Sequence, residues 1–236
     1  MKTVFHSASS RGHNDLGWLT ANHSFSFGQY YNPDKVHFGA LRVLNDDIIV
    51  PGKGFGQHPH DNMEIITIPL KGKLEHRDTL GTHSVIESGE VQVMSAGNGI
   101  QHSEFNADTN EPINLLQIWV MPEKRNITPR YDQRRFDKAD RINKLQVVVS
   151  PDEHEGLWVN QQTWFSIGNP QKDVSLSYTL RGKAHGVYVF VIEGTVKIGD
   201  QTLGKRDALG ISETTNFSFT ALEDAEVLLL EVPMQF

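Results

Sequence analysis

The chain of 236 residues contains 22 lysine and arginine residues against 29 aspartate and glutamate residues, which gives a formal net charge of −7 at pH 7. This acidic balance opposes the attraction to phosphates on which non-specific nucleic-acid binding depends, so direct nucleic-acid binding is not expected. The sequence contains no cysteine, which excludes disulfides, thiolate metal ligands and a catalytic thiol, so any bound metal has to be held by histidine and carboxylate side chains.

The start of the chain and its hydropathy predict a cytoplasmic protein without a membrane span. The first residues, MKTVFHSASSRGHNDLG, lack the continuous apolar core of a signal peptide. No stretch approaches the roughly 18 consecutive apolar residues that a transmembrane helix requires.

Short segments rich in β-branched and aromatic residues recur along the first half of the chain, separated by Gly, Pro, Asn and Asp. Such segments predict strands bounded by turns. They are VHFGALRVL (36–44), MEIITIPL (63–70), VQVMS (91–95) and NLLQIWVM (114–121). We therefore assign residues 1–121 to a first β domain.

A polar, charge-dense segment at 122–144 follows and is predicted to be a solvated connection. Strands then resume at 145–150, 187–199, 216–220 and 226–232. Each half contains a strand, a glycine-containing turn and a second strand, in IITIPLKGKLEHRD and in YVFVIEGTVKIG. We therefore predict an all-β protein of two related barrels, with the second at 145–236.

Two short motifs in the first half predict a metal site. The sequence GQHPHDNMEI contains His58 and His60, and GIQHSEFN contains His102 and Glu104. In an extended strand, residues i and i+2 project to the same face, so each pair can point into one cavity. Three imidazoles and one carboxylate suit a divalent first-row metal and leave positions open for a substrate.

These motifs resemble those of the pirin family of double cupins. The segment from Gly52 to Glu64 is similar to the first cupin motif, and GEVQVMSAGNGIQHSEFN is similar to the second motif in its pirin form. HSFSFGQYYNP (23–33), LRVLNDD (41–47) and IWVMPEKRNITPRYDQRRF (118–136) extend the resemblance over nearly the whole chain, toward the bacterial pirin-like quercetin dioxygenases. The resemblance implies two cupin barrels of the jelly-roll type in one chain, a bicupin.

The resemblance also implies a ligand set, because the metal of pirins is held by the residues that match His58, His60, His102 and Glu104. Many cupins take the carboxylate from the first motif, which here is Glu64, so Glu64 is the alternative to Glu104. One ion is expected, with Fe(II) as the first choice and Mn, Co, Ni, Cu or Zn as alternatives, since all accept histidine and carboxylate ligands.

Other histidines and aromatic residues receive no metal role. The second half has His154 and His185 but no paired motif, and it is expected to bind no metal. His76 and His83 flank a predicted hairpin turn and are assigned no function. Four aromatic residues are expected to cover one end of the first barrel or to bury an edge of its core; they are Phe25, Phe27, Tyr30 and Tyr31.

The resemblance implies a metal-dependent quercetin 2,3-dioxygenase, which uses a flavonol and dioxygen, opens the heterocyclic ring and releases carbon monoxide. Glu104 is then the expected general base for the flavonol 3-hydroxyl. The alternative is a non-enzymatic, metal- or redox-responsive regulatory protein that acts through protein partners, as nuclear pirins do. A third hypothesis is a cupin that binds a small molecule without converting it.

Overall fold

A computed structural model describes residues 1–236 and consists almost entirely of β-strands. The strands of the first half are β1 Lys2–His6, β2 Gly12–Asp15, β3 Leu19–His23, β4 Leu41–Ile49, β5 Gly54–His60, β6 Glu64–Lys71, β7 Lys73–Asp78, β8 His83–Glu87, β9 Glu90–Ser95, β10 Ile100–Asn106, β11 Ile113–Val120 and β12 Arg130–Arg135. Those of the second half are β13 Leu145–Ser150, β14 Leu157–Trp158, β15 Trp164–Gly168, β16 Ser175–Thr179, β17 His185–Glu193, β18 Val196–Ile198, β19 Gln201–Leu203, β20 Ala208–Ser212, β21 Asn216–Ala221 and β22 Glu226–Pro233.

Two short 3-10 helices, Ala8–Ser10 and Lys138–Arg141, complete the regular structure. Neither comes near the length and apolar character that a helix needs to cross a bilayer.

The strands form two barrels, each made of one seven-stranded and one four-stranded sheet. In the first barrel the strand orders are β12-β9-β6-β11-β4-β3-β2 and β5-β10-β7-β8, and in the second they are β1-β20-β17-β22-β15-β13-β14 and β16-β21-β18-β19. Apolar side chains of the two sheets meet in one cluster within each barrel, as inward-facing positions of packed sheets do. The non-sequential, largely antiparallel order is that of a jelly roll, and the predicted all-β bicupin fold is confirmed.

The first strand of the chain belongs to the second barrel. Lys2–His6 pairs antiparallel with Ala208–Ser212, and Nδ1 of His6 lies 2.9 Å from the Tyr188 hydroxyl. Without this strand β20 would be an open sheet edge, which folded proteins usually cover. The chain therefore passes from the second barrel, which contains β1, to the first barrel, which contains β2. The domain limits at 121 and 145 remain a prediction.

The polar segment predicted as a connection contains a strand of its own. Arg130–Arg135 pairs with Glu90–Ser95 at the edge of the larger sheet of the first barrel. Its side chains are half-buried or exposed, because an edge strand is covered on few sides. A charged edge strand such as this one protects a sheet from pairing with another chain.

The largest apolar cluster joins the two barrels. It contains 25 buried residues, among them Leu44 and Ile66 of the first barrel and Phe165, Tyr188 and Leu228 of the second. The barrels therefore share a core rather than touch through a polar surface.

Candidate metal centre

Two neighbouring strands bring the three predicted histidines together. β5 and β10 pair antiparallel, with His58 directly opposite His102 and His60 two residues further along β5. The ring centroid of His102 lies 4.4 Å from that of His58 and 4.9 Å from that of His60. One nitrogen of each ring lies within 4.8 Å of the others, so the three imidazoles form one cluster.

Glu104 lies on the same strand as His102 but faces different partners. Its Oε2 accepts a 2.8 Å hydrogen bond from Nε2 of Gln117, and Oε1 lies 3.4 Å from the Thr67 hydroxyl. The carboxylate clusters within 4.8 Å of His102 and His76, and not with His58 and His60. Ligand atoms bound to one ion at about 2.1 Å are at most about 4.2 Å apart, so the four predicted ligands are not yet assembled in this side-chain conformation.

The support of Glu104 is a polar row across the larger sheet that sequence reasoning missed. The row consists of facing residues on five adjacent strands: Gln92, Thr67, Gln117, Asn45 and His23. Thr67 donates to Oε1 of Gln117 at 3.0 Å, which leaves the Gln117 amide nitrogen free to donate to Glu104. The sequence does contain a signal for this polar row: Thr67 and Gln117 are polar residues within the otherwise apolar runs IITIPL and NLLQIWV.

A fourth histidine, assigned no role from the sequence, lies beside this cluster. His76 on β7 is directly opposite Glu104, and its Nε2 donates to Oδ2 of Asp78 at 2.9 Å. Both side chains of this pair are fully buried. Burial lowers the pKa of His76 even though Asp78 opposes the shift, so the ring is neutral near pH 7.

The electrostatics of the cluster favour neutral imidazoles. Burial, followed by repulsion from His58, lowers the pKa of His60 to about 4. Burial, followed by repulsion from the other two histidines of the cluster and from His76, lowers the pKa of His102 to about 2. Nδ1 of His58 donates to the carbonyl of Gly56 at 2.8 Å, which leaves its Nε2 unprotonated in the neutral ring. Metal binding requires this state, since a protonated imidazole cannot coordinate.

The unpaired atoms of His102 provide a test of whether these residues fit a metal. Both ring nitrogens of His102 are buried and have no hydrogen-bond partner. Leaving such atoms unpaired costs free energy, and a bound cation would satisfy one of them. Three imidazole nitrogens with a nearby carboxylate form a donor set for a divalent transition metal, so the residues fit the predicted ion.

The cluster opens onto a cavity of about 200 Å³. Its walls are aromatic and its remaining lining is polar: Phe27, Phe55, Trp119, Asn45, Asp47 and Gln117 join the three histidines and Glu104. The Trp119 ring is nearly perpendicular to those of His60 and Phe27, with centroids 5.0 and 5.3 Å away. Nε1 of Trp119 and Oδ1 of Asp47 are buried without a partner, so the cavity offers hydrogen-bonding groups to a flat aromatic ligand.

The aromatic residues expected to cover a barrel end or to bury an edge of its core have different positions. Phe27 lines the cavity and Phe25 is buried in the core shared by the barrels. Tyr31 is 74 % exposed and takes no part in either.

Glu64, the alternative ligand, lies away from the three histidines. Its Oε2 accepts hydrogen bonds from the Ser95 hydroxyl at 2.7 Å and from the backbone N–H of Asn160, in the second half of the chain, at 3.1 Å. Burial raises its pKa to about 7. Glu64 belongs to neither candidate metal cluster and links the two barrels instead.

The two histidines of the second half have no metal-like surroundings. Nδ1 of His185 donates to Oε1 of the buried Glu231 at 2.9 Å, and His154 is exposed in a loop. Neither belongs to a group of three potential ligands.

Comparison with known proteins gives the same architecture. The family model described as Pirin matches residues 4–120, and the model described as quercetinase C-terminal cupin domain matches residues 147–232. The chain is 43% identical over 227 residues to quercetin 2,3-dioxygenase of Escherichia coli K12, with 96% of each chain covered. It is 38% identical over 219 residues to a pirin-like protein of Caulobacter vibrioides, covering 92% of this chain and 94% of that one.

Solved structures agree along the full length. The crystal structure of YhhW from Escherichia coli matches with a TM-score of 0.94 and 41% identity over 100% of both chains. The structure of bacterial pirin YhhW in complex with nickel(II) matches with a TM-score of 0.93 and 41% identity, covering 98% of this chain and 99% of that chain.

Proposed function

Because this chain belongs to the pirin family, we propose that it is a metal-dependent dioxygenase that opens the heterocyclic ring of flavonols such as quercetin. The observation that carries the proposal is the cluster of His58, His60 and His102 on the wall of an aromatic-lined cavity. The name of the Escherichia coli relative supports the choice of substrate class.

The proposed ligands are the three clustered histidines and Glu104, whose carboxylate has to turn from Gln117 toward the imidazoles. Fe(II) is the proposed native ion, and the nickel complex of the YhhW relative supports Ni(II) as a usable substitute. When bound, a divalent ion supplies Lewis-acid polarisation of a substrate oxygen.

The chain's own residues bind and orient the flavonol. Phe27, Phe55 and Trp119 provide apolar faces for its flat rings. Asp47 and the indole N–H of Trp119, both buried without a partner, are placed to bind hydroxyl or carbonyl groups of the substrate. These contacts fix the position of the 3-hydroxyl group relative to Glu104.

Glu104 is the proposed general base. It accepts the proton of the 3-hydroxyl, and the resulting flavonol anion is the species that dioxygen attacks. Before this proton transfer, the hydrogen bond from Gln117 holds the Glu104 carboxylate on the cavity wall. The ring opens with incorporation of dioxygen and release of carbon monoxide.

The test combines metal analysis with oxygen consumption. We expect one ion per chain, bound in the first barrel, and oxygen uptake with flavonols but not with a matched flavone that lacks the 3-hydroxyl group. Metal-loaded protein that consumes no oxygen with any flavonol would contradict the proposal. The alternative, a regulatory protein acting through partners, predicts metal-dependent partner binding without flavonol turnover.

A further inference from the structure

His102 needs an acceptor for one of its ring nitrogens. Both nitrogens are buried and without partners, and a single ion can take only one of them. Metal-bound histidines almost always donate the other N–H to a carboxylate, a carbonyl or water, which fixes the orientation of the ring. No such bond is formed by His102 in this structure.

His76 is placed beside His102 by the ladder between β7 and β10. In this ladder Asp78 is opposite His102 and His76 is opposite Glu104. The centroids of the His76 and His102 rings are 5.3 Å apart, and one nitrogen of each lies within 4.8 Å of the other. Nδ1 of His76 is also buried without a partner.

The hydrogen bonds of Asp78 determine which nitrogen of His76 can accept. Oδ1 of Asp78 accepts the backbone N–H groups of Leu80 at 2.9 Å and Thr82 at 3.0 Å, which fixes the carboxylate. Oδ2 can only accept, so Nε2 of His76 carries the proton. Nδ1 of the neutral ring is therefore an acceptor, and the Tyr131 ring, tilted by 31° with its centroid 4.6 Å away, packs against the His76 ring and restrains it.

We infer that Asp78 and His76 form an outer support of the metal centre, in which Nδ1 of His76 accepts the N–H of His102 and His102 presents its other nitrogen to the ion. The inference rests on the metal site in the proposed function. Rotation of the His102 ring about χ2, a soft torsion, is the motion that closes the remaining gap. His76 is thus a positioning residue.

The test uses His76→Phe and Asp78→Asn, with His83→Phe as the control in the same hairpin. Asp78→Asn keeps an oxygen for the two backbone N–H groups but turns an amide N–H toward His76, which forces the proton to Nδ1. His83 is an exposed ring bonded to Glu75 at 2.6 Å and lies outside both candidate clusters. Ni(II) affinity is measured by competition with a chelator.

We expect both variants to bind one Ni(II) per chain with about 10- to 100-fold weaker affinity, and the control to bind as the wild type does. The visible spectrum of the Co(II)-loaded protein should shift in both variants. Nitrogen NMR of the metal-free protein should show His76 protonated at Nε2 in the wild type and at Nδ1 in Asp78→Asn. Thermal unfolding of the metal-free variants checks that they fold. If His76→Phe does not fold, the result for Asp78→Asn alone decides the test.

Two results would overturn the inference. Unchanged Ni(II) affinity and Co(II) spectrum in both variants would show that His102 needs no such support. Loss of stoichiometric binding in His76→Phe, with full affinity kept in Asp78→Asn, would make His76 a ligand instead. A wild-type protein that binds no Ni(II) would remove the metal site, and with it the proposed function. Failure of the proposed function is therefore seen in the wild type, whereas failure of the inference alone is seen only in the variants.

Discussion

Glu104 and Glu64 show how the surroundings of a carboxylate decide its role. Both are buried, and burial raises the pKa of each to about 7. Glu104 lines the cavity and is held by Gln117, whereas Glu64 accepts bonds from Ser95 and Asn160 between the barrels. Only Glu104 can meet a ligand in the cavity.

Glu104→Gln is expected to lower flavonol turnover by about two orders of magnitude or more, the usual scale for loss of a general base. Metal affinity should fall only partly, because glutamine keeps an oxygen donor and the size of the side chain. Steady-state kinetics and chelator competition measure the two effects separately.

Glu64→Gln is the matched control and should leave both quantities unchanged. If it abolished metal binding while Glu104→Gln kept its turnover, the carboxylate ligand would belong to the first motif. If neither change mattered while His102→Ala removed the metal, the centre would have three histidine ligands and a different base.

At the scale of elements, β22 anchors the loop between β16 and β17 through the carboxylate of Glu231. The fully buried Glu231 accepts hydrogen bonds from the Tyr178 hydroxyl at 2.7 Å and from Nδ1 of His185 at 2.9 Å. The backbone N–H groups of Arg181 and Gly182 also donate to it at 2.9 Å. Burial alone would raise the pKa of Glu231, but these hydrogen bonds together hold it below its ordinary value.

Glu231→Gln is expected to lower the free energy of unfolding at pH 7 by about 2–4 kcal/mol, because charged hydrogen bonds to a buried group are lost. The pKa is lower in the folded than in the unfolded chain, so this contribution is present above the unfolded value of about 4.3 and disappears as pH falls through the folded value. The difference from wild type should therefore shrink below about pH 4.

Denaturant unfolding at a series of pH values measures this difference. Glu193→Gln on the neighbouring strand is the control, since its ion pair with Lys205 is largely exposed and should contribute at most about 1 kcal/mol. A difference for Glu231→Gln that stayed constant down to the lowest pH would show that the charge of Glu231 does not stabilise the barrel.

At the scale of the whole molecule, three features couple the barrels. The cluster of 25 buried apolar residues spans both, and β1 completes the larger sheet of the second. In addition, Nε of Arg206 in the second barrel lies 2.8 Å from Oδ2 of Asp46 in the first, which also pairs with Arg11 at 3.5 Å. Neither barrel can unfold without exposing the apolar surface of the other.

We therefore expect one cooperative unfolding transition for the metal-free protein. Two variants allow the barrels to be followed separately by tryptophan fluorescence. One keeps Trp18 and Trp119 of the first barrel as its only tryptophans, and the other keeps Trp158 and Trp164 of the second. Their fluorescence transitions should coincide with each other and with circular dichroism, and a 145–236 fragment should not fold by itself. Separate midpoints for the two variants would show that the barrels are independent.

The sequence by itself determined the features that depend on local periodicity. Runs of β-branched and aromatic residues separated by turn residues predicted the all-β fold, and the strand–turn–strand pattern common to both halves predicted two barrels, both of which the structure confirms. The i, i+2 spacing predicted that His58 and His60 share a face, and the structure brings them together with His102. These patterns could be read directly because side chains in a strand alternate between its faces.

Only the tertiary structure decided the features that depend on register between distant strands. The ladder of β7 and β10 places His76 beside Glu104, and Gln117 reaches Glu104 from the opposite sheet. Packing between the barrels likewise gives Glu64 its partner Asn160, 96 residues away along the chain. No local pattern specifies these pairings, because a one-residue change of register would turn the same side chains to the other face of the sheet.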